Sequence, residues 1–265
     1  MQLPEYPVRE AIPALQAALA DQRCAVLAAP PGSGKTTIVP LALLDEPWLA
    51  GKRIVMLEPR RVAARASAAR MASLLGEKAG ETVGYQIRFE RRISNATRIE
   101  VVTEGLLTRR LQSDPELPGV GLVIFDEFHE RSLDADLALA LTLDARANLN
   151  PELRVLVMSA TLDTQRVSKL LDDAPVIEAS GRMFPVDVRY LGAKLDQKLD
   201  ESVANAVLRA LNETSGDVLV FLPGAREIRW TQRRIEERAR DVAVRPLYGE
   251  LSSAEQDLAL TPDAQ

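Results

Sequence analysis

Short, continuously apolar runs alternate along this chain with longer stretches in which alanine, leucine and charged residues recur at helical spacing. Apolar runs buried on both faces predict strands of a parallel sheet, and the stretches between them predict the helices that cover it. Strands are expected at Ala25–Ala28, Ile54–Leu57, Ile99–Val102, Leu122–Phe125, Val155–Met158 and Val176–Ile177. The segment "RRVAARASAARMASLLG" predicts a helix that closes at Gly76, where glycine suits a C-cap. A second long helix is predicted by "LDADLALALTLDARAN". The pattern pauses around "SGRMFPVDVRYLG", punctuated by Gly181 and Pro185. A second α/β series then begins, with a helix near Leu195–Asn212, the strand "DVLVFLPG", the helix "REIRWTQRRIEERAR", the strand "VAVRPLYG" and a short last helix. This divides the chain into 1–181 and 182–265, and the second unit has too few strands for a self-sufficient parallel domain.

Composition changes this picture little. Of 265 residues, 46% are hydrophobic and 27% charged, ordinary for a globular protein with a real core. The net charge of −5 advertises no broad basic surface, but leaves room for a few placed cations that grip a polyanion. Cys24 stands alone, so neither a disulfide framework nor a cysteine metal cluster is available. Acids and prolines occupy the N-terminus where a secretory signal needs a basic start and an apolar run, and no stretch is apolar for the length of a bilayer. A cytoplasmic monomer, away from membranes, is the expectation.

The most specific chemistry lies in "VLAAPPGSGKTTIVPLALL", where an apolar strand enters a glycine-rich loop and a helix begins at the lysine. Gly32 and Gly34 let the backbone turn its N–H groups toward phosphate oxygens, and the helix N-terminus adds unpaired donors and partial positive charge. The loop Pro31–Gly32–Ser33–Gly34–Lys35–Thr36–Thr37 is thus the candidate nucleotide cradle. Lys35 is placed to reach the β- and γ-phosphates, and the Thr36 hydroxyl to ligate Mg²⁺. Ala29 stands where the strict motif has its first glycine. Pro40 is expected to kink the early helix without abolishing it.

A phosphate loop needs a carboxylate at the end of a neighbouring strand, and "LVIFDEFHE" supplies two. Asp126 is the candidate to hold Mg²⁺ through water and Glu127 to orient and deprotonate the attacking water, so that Thr36, Asp126 and Glu127 together are the candidate Mg²⁺ residues, partly through water. His129 is the single histidine of the chain, so no zinc site can be completed around it. Its spacing suits a sensor that hydrogen-bonds between this strand end and another element. A histidine packed under the loop for structure alone fits the same residues.

In order, "GSGKTT", "EPRRVAARA", "TEGLLTRRL", "DEFHE", "SAT" and "FLPG" resemble the motifs of DEAH-box helicases of superfamily two, and Phe128 inside the fourth is similar to the bacterial HrpB branch. The resemblance covers nearly the whole chain. It implies a P-loop NTPase (RecA-like) α/β fold, a parallel sheet with helices on both faces, for residues 1–181, and an incomplete second RecA-like lobe for 182–265. It implies ATP and Mg²⁺ as cofactors and single-stranded or structured RNA as partner, with DNA not excluded. Ser159 and Thr161 would link hydrolysis to strand separation through His129. Pro59, Arg60 and Arg61, with Thr103, Glu104 and Gly105, would touch the RNA sugar-phosphate backbone. Arg70 would stack on the adenine. Tyr85, Arg88 and Phe89 match a family segment too, with strand packing an equal alternative.

The late arginine-rich motifs of the family do not occur in the sequence. The expectation is therefore a nucleotide-binding piece of an ATP-dependent RNA helicase, with weak turnover by itself. An ATPase that remodels a partner other than nucleic acid would share the phosphate loop without accounting for the "PRR" and "TEG" segments, and a non-catalytic module that holds nucleotide or RNA is the third reading.

Overall fold

Each apolar strand pairs with a parallel neighbour, and alternate side chains go to opposite faces, so helices are needed on both sides. The computed structural model describes residues 4–160, 164–181, 185–192 and 198–261. The chain forms two compact units, Met1–Phe184 and Pro185–Gln265.

In the first unit the order is α1 (Ile12–Asp21), β1 (Cys24–Ala28), α2 (Lys35–Ala42), β2 (Arg53–Leu57), α3 (Arg61–Leu74), β3 (Val83–Ile87), β4 (Glu90–Arg92), β5 (Ile99–Val102), α4 (Glu104–Ser113), β6 (Val120–Phe125), α5 (Leu133–Asn148), β7 (Arg154–Ser159), α6 (Thr164–Leu170) and β8 (Val176–Glu178). The sheet runs β4-β3-β5-β2-β6-β7-β1-β8. All pairs are parallel except β3 with β4. The fold is RecA-like α/β. Ala25, Leu27, Ile54, Met56 and Met158 face one apolar layer with α1, α2 and α3. Val26, Val55, Phe125, Val155 and Val157 face the other, with α4 and α5.

Local chemistry sets the ends of elements. Gly76, at φ +74, follows α3. Its N–H bonds Ser73 O at 3.1 Å and the Glu77 N–H bonds Ala72 O at 2.9 Å, a Schellman closure. Ser132 caps α5 by accepting from the Ala135 N–H. Pro40 lies within α2, which ends two residues later.

The six expected strands are present, and the β3–β4 hairpin is an addition to them. Its turn uses Phe89 at φ +69 rather than glycine, and β4 is short and charged, so neither periodicity nor turn chemistry marks it. The Arg88 guanidinium lies over the exposed Phe89 ring at 4.7 Å.

The second unit requires a correction. It holds α7 (Leu199–Glu213), α8 (Ala225–Arg238) and α9 (Ser253–Leu260), but "DVLVFLPG" and "VAVRPLYG" are not strands. Apolar residues make a strand only where a neighbour completes the backbone ladder, and among the described residues neither segment finds one. Val218 and Val220 pack on the α7–α8 pair around Ala204, Val207 and Ile235, while Leu219 and Phe221 point outward and are exposed. Asp200 and Arg234 tie α7 to α8. The helix expected from residue 195 begins at Leu199, and 193–197 lie outside the described residues. No helix among the described residues is long and apolar enough to cross a membrane.

One buried charge is essential to the sheet. Glu100, 1% exposed on β5, is held by both terminal nitrogens of Arg110, one at 3.1 Å. Removing the arginine leaves this buried carboxylate with only the more distant Arg53, 4.0 Å away. Arg110→Ala is expected to cost roughly 3 kcal/mol in urea unfolding, and Glu100→Leu with Arg110→Ala markedly less. Equal losses in the two would show that the pairing is not the source of the cost.

Candidate active site

Because the sheet is parallel, the carboxyl ends of β1, β2, β5, β6 and β7 share one edge, where open α/β sheets bind ligands. The phosphate loop leaves β1 there. Gly32 and Gly34 adopt left-handed backbone at φ +75 and +90, and Gly34 is the N-cap of α2. A Cβ on Gly34 would come within 2.7 Å of the Tyr6 ring. The Val8 N–H bonds Ser33 O at 3.1 Å, so the segment before α1 holds the loop from outside. Tyr6 was not legible as a site residue, since nothing in its local sequence marks it.

Lys35, 3% exposed, opens α2 and directs Nζ at Glu127 Oε1, 2.8 Å away. Glu127 sits at φ +49, a left-handed non-glycine residue that turns the chain sharply off β6. Asp126, 1% exposed, accepts the Glu127 N–H through Oδ1 at 2.8 Å, and its Oδ2 is buried without a partner. Burial pushes the Asp126 carboxyl up to about 6, opposed by a hydrogen bond from Thr36 and raised further by the Glu127 charge. A buried carboxylate oxygen with nothing to bond, beside a hydroxyl and a lysine, is a place for a cation and a phosphate. Among the described residues no three His, Cys, Asp or Glu side chains cluster for a metal.

His129 bridges to β7. Its Nδ1 stands 3.3 Å from the Ala160 N–H and 3.3 Å from Glu127 Oε2. One ring nitrogen serves only one of them, accepting from Ala160 when bare or donating to Glu127 when protonated. Glu127 already holds Lys35 more closely, so the Ala160 bond describes this arrangement better. Ser159 is buried at the end of β7, and Thr161 lies outside the described residues.

The remaining predicted residues divide. Pro59, Arg60 and Arg61 follow β2, with Arg60 paired to Glu130 at 3.0 Å. Thr103 is the N-cap of α4, and Glu104 and Gly105 begin it, at the same edge. Thr37 bonds back to Gly34 O at 3.5 Å, and Pro31 is exposed. Arg70 is exposed on α3 and makes no hydrogen bond or ion pair among the described residues.

Glu58 was missed. It is 3% exposed at the end of β2, and burial, then repulsion from Asp126, Glu127 and Glu130, pushes its carboxyl up to about 8. The signal was an acid directly after an apolar strand, hidden by attention to the arginines that follow. At neutral pH Glu58 is therefore a neutral acid. Its proton is held more tightly in the fold than in the unfolded chain, where the ordinary value is 4.5. Its stabilising contribution is full below about pH 4.5 and is lost as pH rises through about 8. Glu58→Gln is expected to flatten the decline of urea midpoints between about pH 5 and 8, keeping the part due to Asp126 between about pH 4 and 6. Superimposable midpoint curves would remove Glu58 from this account.

A family model described as DEAD/DEAH box helicase matches residues 9–170. The chain is 51% identical over 260 residues to the ATP-dependent RNA helicase HrpB of Escherichia coli, covering 98% of this chain and 32% of that protein. It is 36% identical to the ATP-dependent RNA helicase HrpA homolog of Haemophilus influenzae, over 97% of this chain and 20% of the relative. The crystal structure of Escherichia coli DEAH/RHA helicase HrpB superposes with a TM-score of 0.88 at 48% identity, covering 98% of this chain and 33% of that one. The chain thus spans a third or less of the length of these relatives. With the phosphate loop, the paired acids and the histidine gathered on one sheet edge, the chain belongs to the DEAD/DEAH box helicase family.

Proposed function

We propose that this chain is the nucleotide-binding core of an ATP-dependent RNA helicase of the DEAH-box type, with residues 182–265 contributing part of a second RecA-like lobe. The observation that carries the reading is the orphaned, buried Asp126 Oδ2, on a carboxyl that feels both the Thr36 hydroxyl and the Lys35 charge of the phosphate loop. Magnesium suits these donors, and when bound it would offset phosphate charge.

The residues divide the work. Backbone N–H groups of the loop and the first turn of α2 orient the phosphates of ATP. Lys35, now paired with Glu127, exchanges that partner for phosphate oxygens. Glu127 is thereby released to take a proton from water as the water oxygen attacks the terminal phosphorus. The bond from that phosphorus to the bridging oxygen breaks, leaving ADP and phosphate. His129, joined to Ala160 at the end of β7, reports this change to the next strand. Arg60, Arg61 and the Thr103–Gly105 turn hold the RNA backbone at the same edge, without reading bases.

Lys35→Ala is expected to weaken binding of fluorescent ADP by at least about tenfold, since it removes a charge-assisted contact. Glu127→Gln is expected to keep that affinity and lose roughly 10²–10⁴ in phosphate release. Undiminished hydrolysis by the Glu127 variant would displace it as the base.

A further inference from the structure

The basic residues of the first unit are not confined to the motif edge. At the opposite, amino-terminal edge of the sheet, β2, β5 and β6 begin around an open recess of about 700 Å³. Lys52, Arg53, Arg91 and Arg98 line it, together with the polar loop Ser94–Thr97, and no acid does. This is four positive charges against none, in a chain whose net charge is −5. Glu100 and Asp114 lie in the narrower adjoining cavity, where Glu100 is held closely by Arg110 and lies 4.0 Å from Arg53, among the described residues the one cation of the recess with an acid beside it.

The recess is built rather than incidental. Thr97, 3% exposed, donates to Glu81 O at 2.8 Å and accepts the Ser94 N–H at 2.9 Å, which fixes the loop. Arg98 is anchored by a bond to Leu44 O at 3.0 Å, while its Nε is buried without a partner. Lys52 and Arg91 make no hydrogen bond or ion pair from their side chains among the described residues. No aromatic ring lines the recess, so it offers no platform for a base and no cage for a cation. What it offers is charge and N–H or O–H donors, the chemistry of a phosphodiester backbone.

A route leads there from the motif edge. The β3–β4 hairpin turns at Arg88 near the carboxyl ends of the parallel strands, and β4 returns antiparallel through Arg91 and Arg92 to the recess. The two edges are roughly 15 Å apart, the rise of a five-residue strand. The usual ligand edge of an open α/β sheet is the other one, so the nucleotide site does not account for these cations.

We infer that this recess is a second RNA contact, in which Lys52, Arg53, Arg91 and Arg98 hold backbone phosphates of a strand passing around the hairpin edge. The inference rests on the RNA reading of the preceding subsection.

The test is fluorescence anisotropy of a labelled oligouridylate with purified 1–265 across a salt series, comparing the wild type, Lys52→Ala/Arg91→Ala and Arg60→Ala. The double variant is expected to bind about tenfold more weakly at low salt and to lose about 1.4 from the slope of log affinity on log salt, two contacts at about 0.7 each. Its affinity for fluorescent ADP is expected to match wild type, which establishes that it is folded. Unchanged RNA affinity and slope in the double variant, with loss in Arg60→Ala, overturns the inference and leaves the motif-edge reading intact; the arginines would then only guard a sheet edge against pairing. The reverse pattern supports the recess and removes Arg60 from RNA binding. No binding by any protein overturns both. Displacement of RNA by polyglutamate at matched charge, lost in the double variant, overturns the assignment in favour of an acidic polypeptide.

Discussion

Parallel pairing is the constraint on which the rest of the first unit depends. A parallel sheet sends every carboxyl end to one side, so residues far apart in sequence become neighbours without a dedicated contact between them. The loop after β1, Glu58 after β2, the acids after β6 and Ala160 after β7 meet because β7 lies between β6 and β1, and β2 lies against β6. The same rule gathers the amino-terminal ends on the other side, where Lys52, Arg53 and Arg98 converge. One register therefore creates two charged edges of different character, acids with a phosphate loop on one and cations on the other.

Within the active edge, charge is balanced by mutual occupation. Lys35 holds Glu127, Glu127 stands beside His129, and His129 takes the Ala160 amide. In the proposed mechanism each group occupies a place that a phosphate, a water or a proton would claim. Glu58 avoids a fourth negative charge here by keeping its proton. Three of the four acids at this edge are provided for, Glu58 by its proton, Glu127 by Lys35 and Glu130 by Arg60, while Asp126 keeps one oxygen unpartnered.

The sheet and the phosphate loop were legible because their signals are local. Continuous apolar runs ended where strands end, and glycine, lysine and threonine stood at fixed offsets in one segment. The β3–β4 hairpin was not, since Phe89 takes a left-handed conformation that composition does not announce. Tyr6 and Glu58 act through distance in space: the first covers Gly34 from 28 residues upstream, and the second owes its state to acids on other strands. The two apolar segments of the second unit mislead in the opposite direction. Their composition is that of buried strands, but a strand is a property of a pair.

That last point bears on how the protein behaves in solution. Residues 218–222 read Val-Leu-Val-Phe-Leu, with Leu219 77% and Phe221 86% exposed, and their backbone groups meet no ladder among the described residues. Such a segment joins apolar side chains to open hydrogen-bonding groups, the combination that recruits strands from other molecules. Polar replacement of the outward pair, Leu219 and Phe221, would remove the apolar half of that combination and leave the packing of Val218 and Val220 on the helix pair in place.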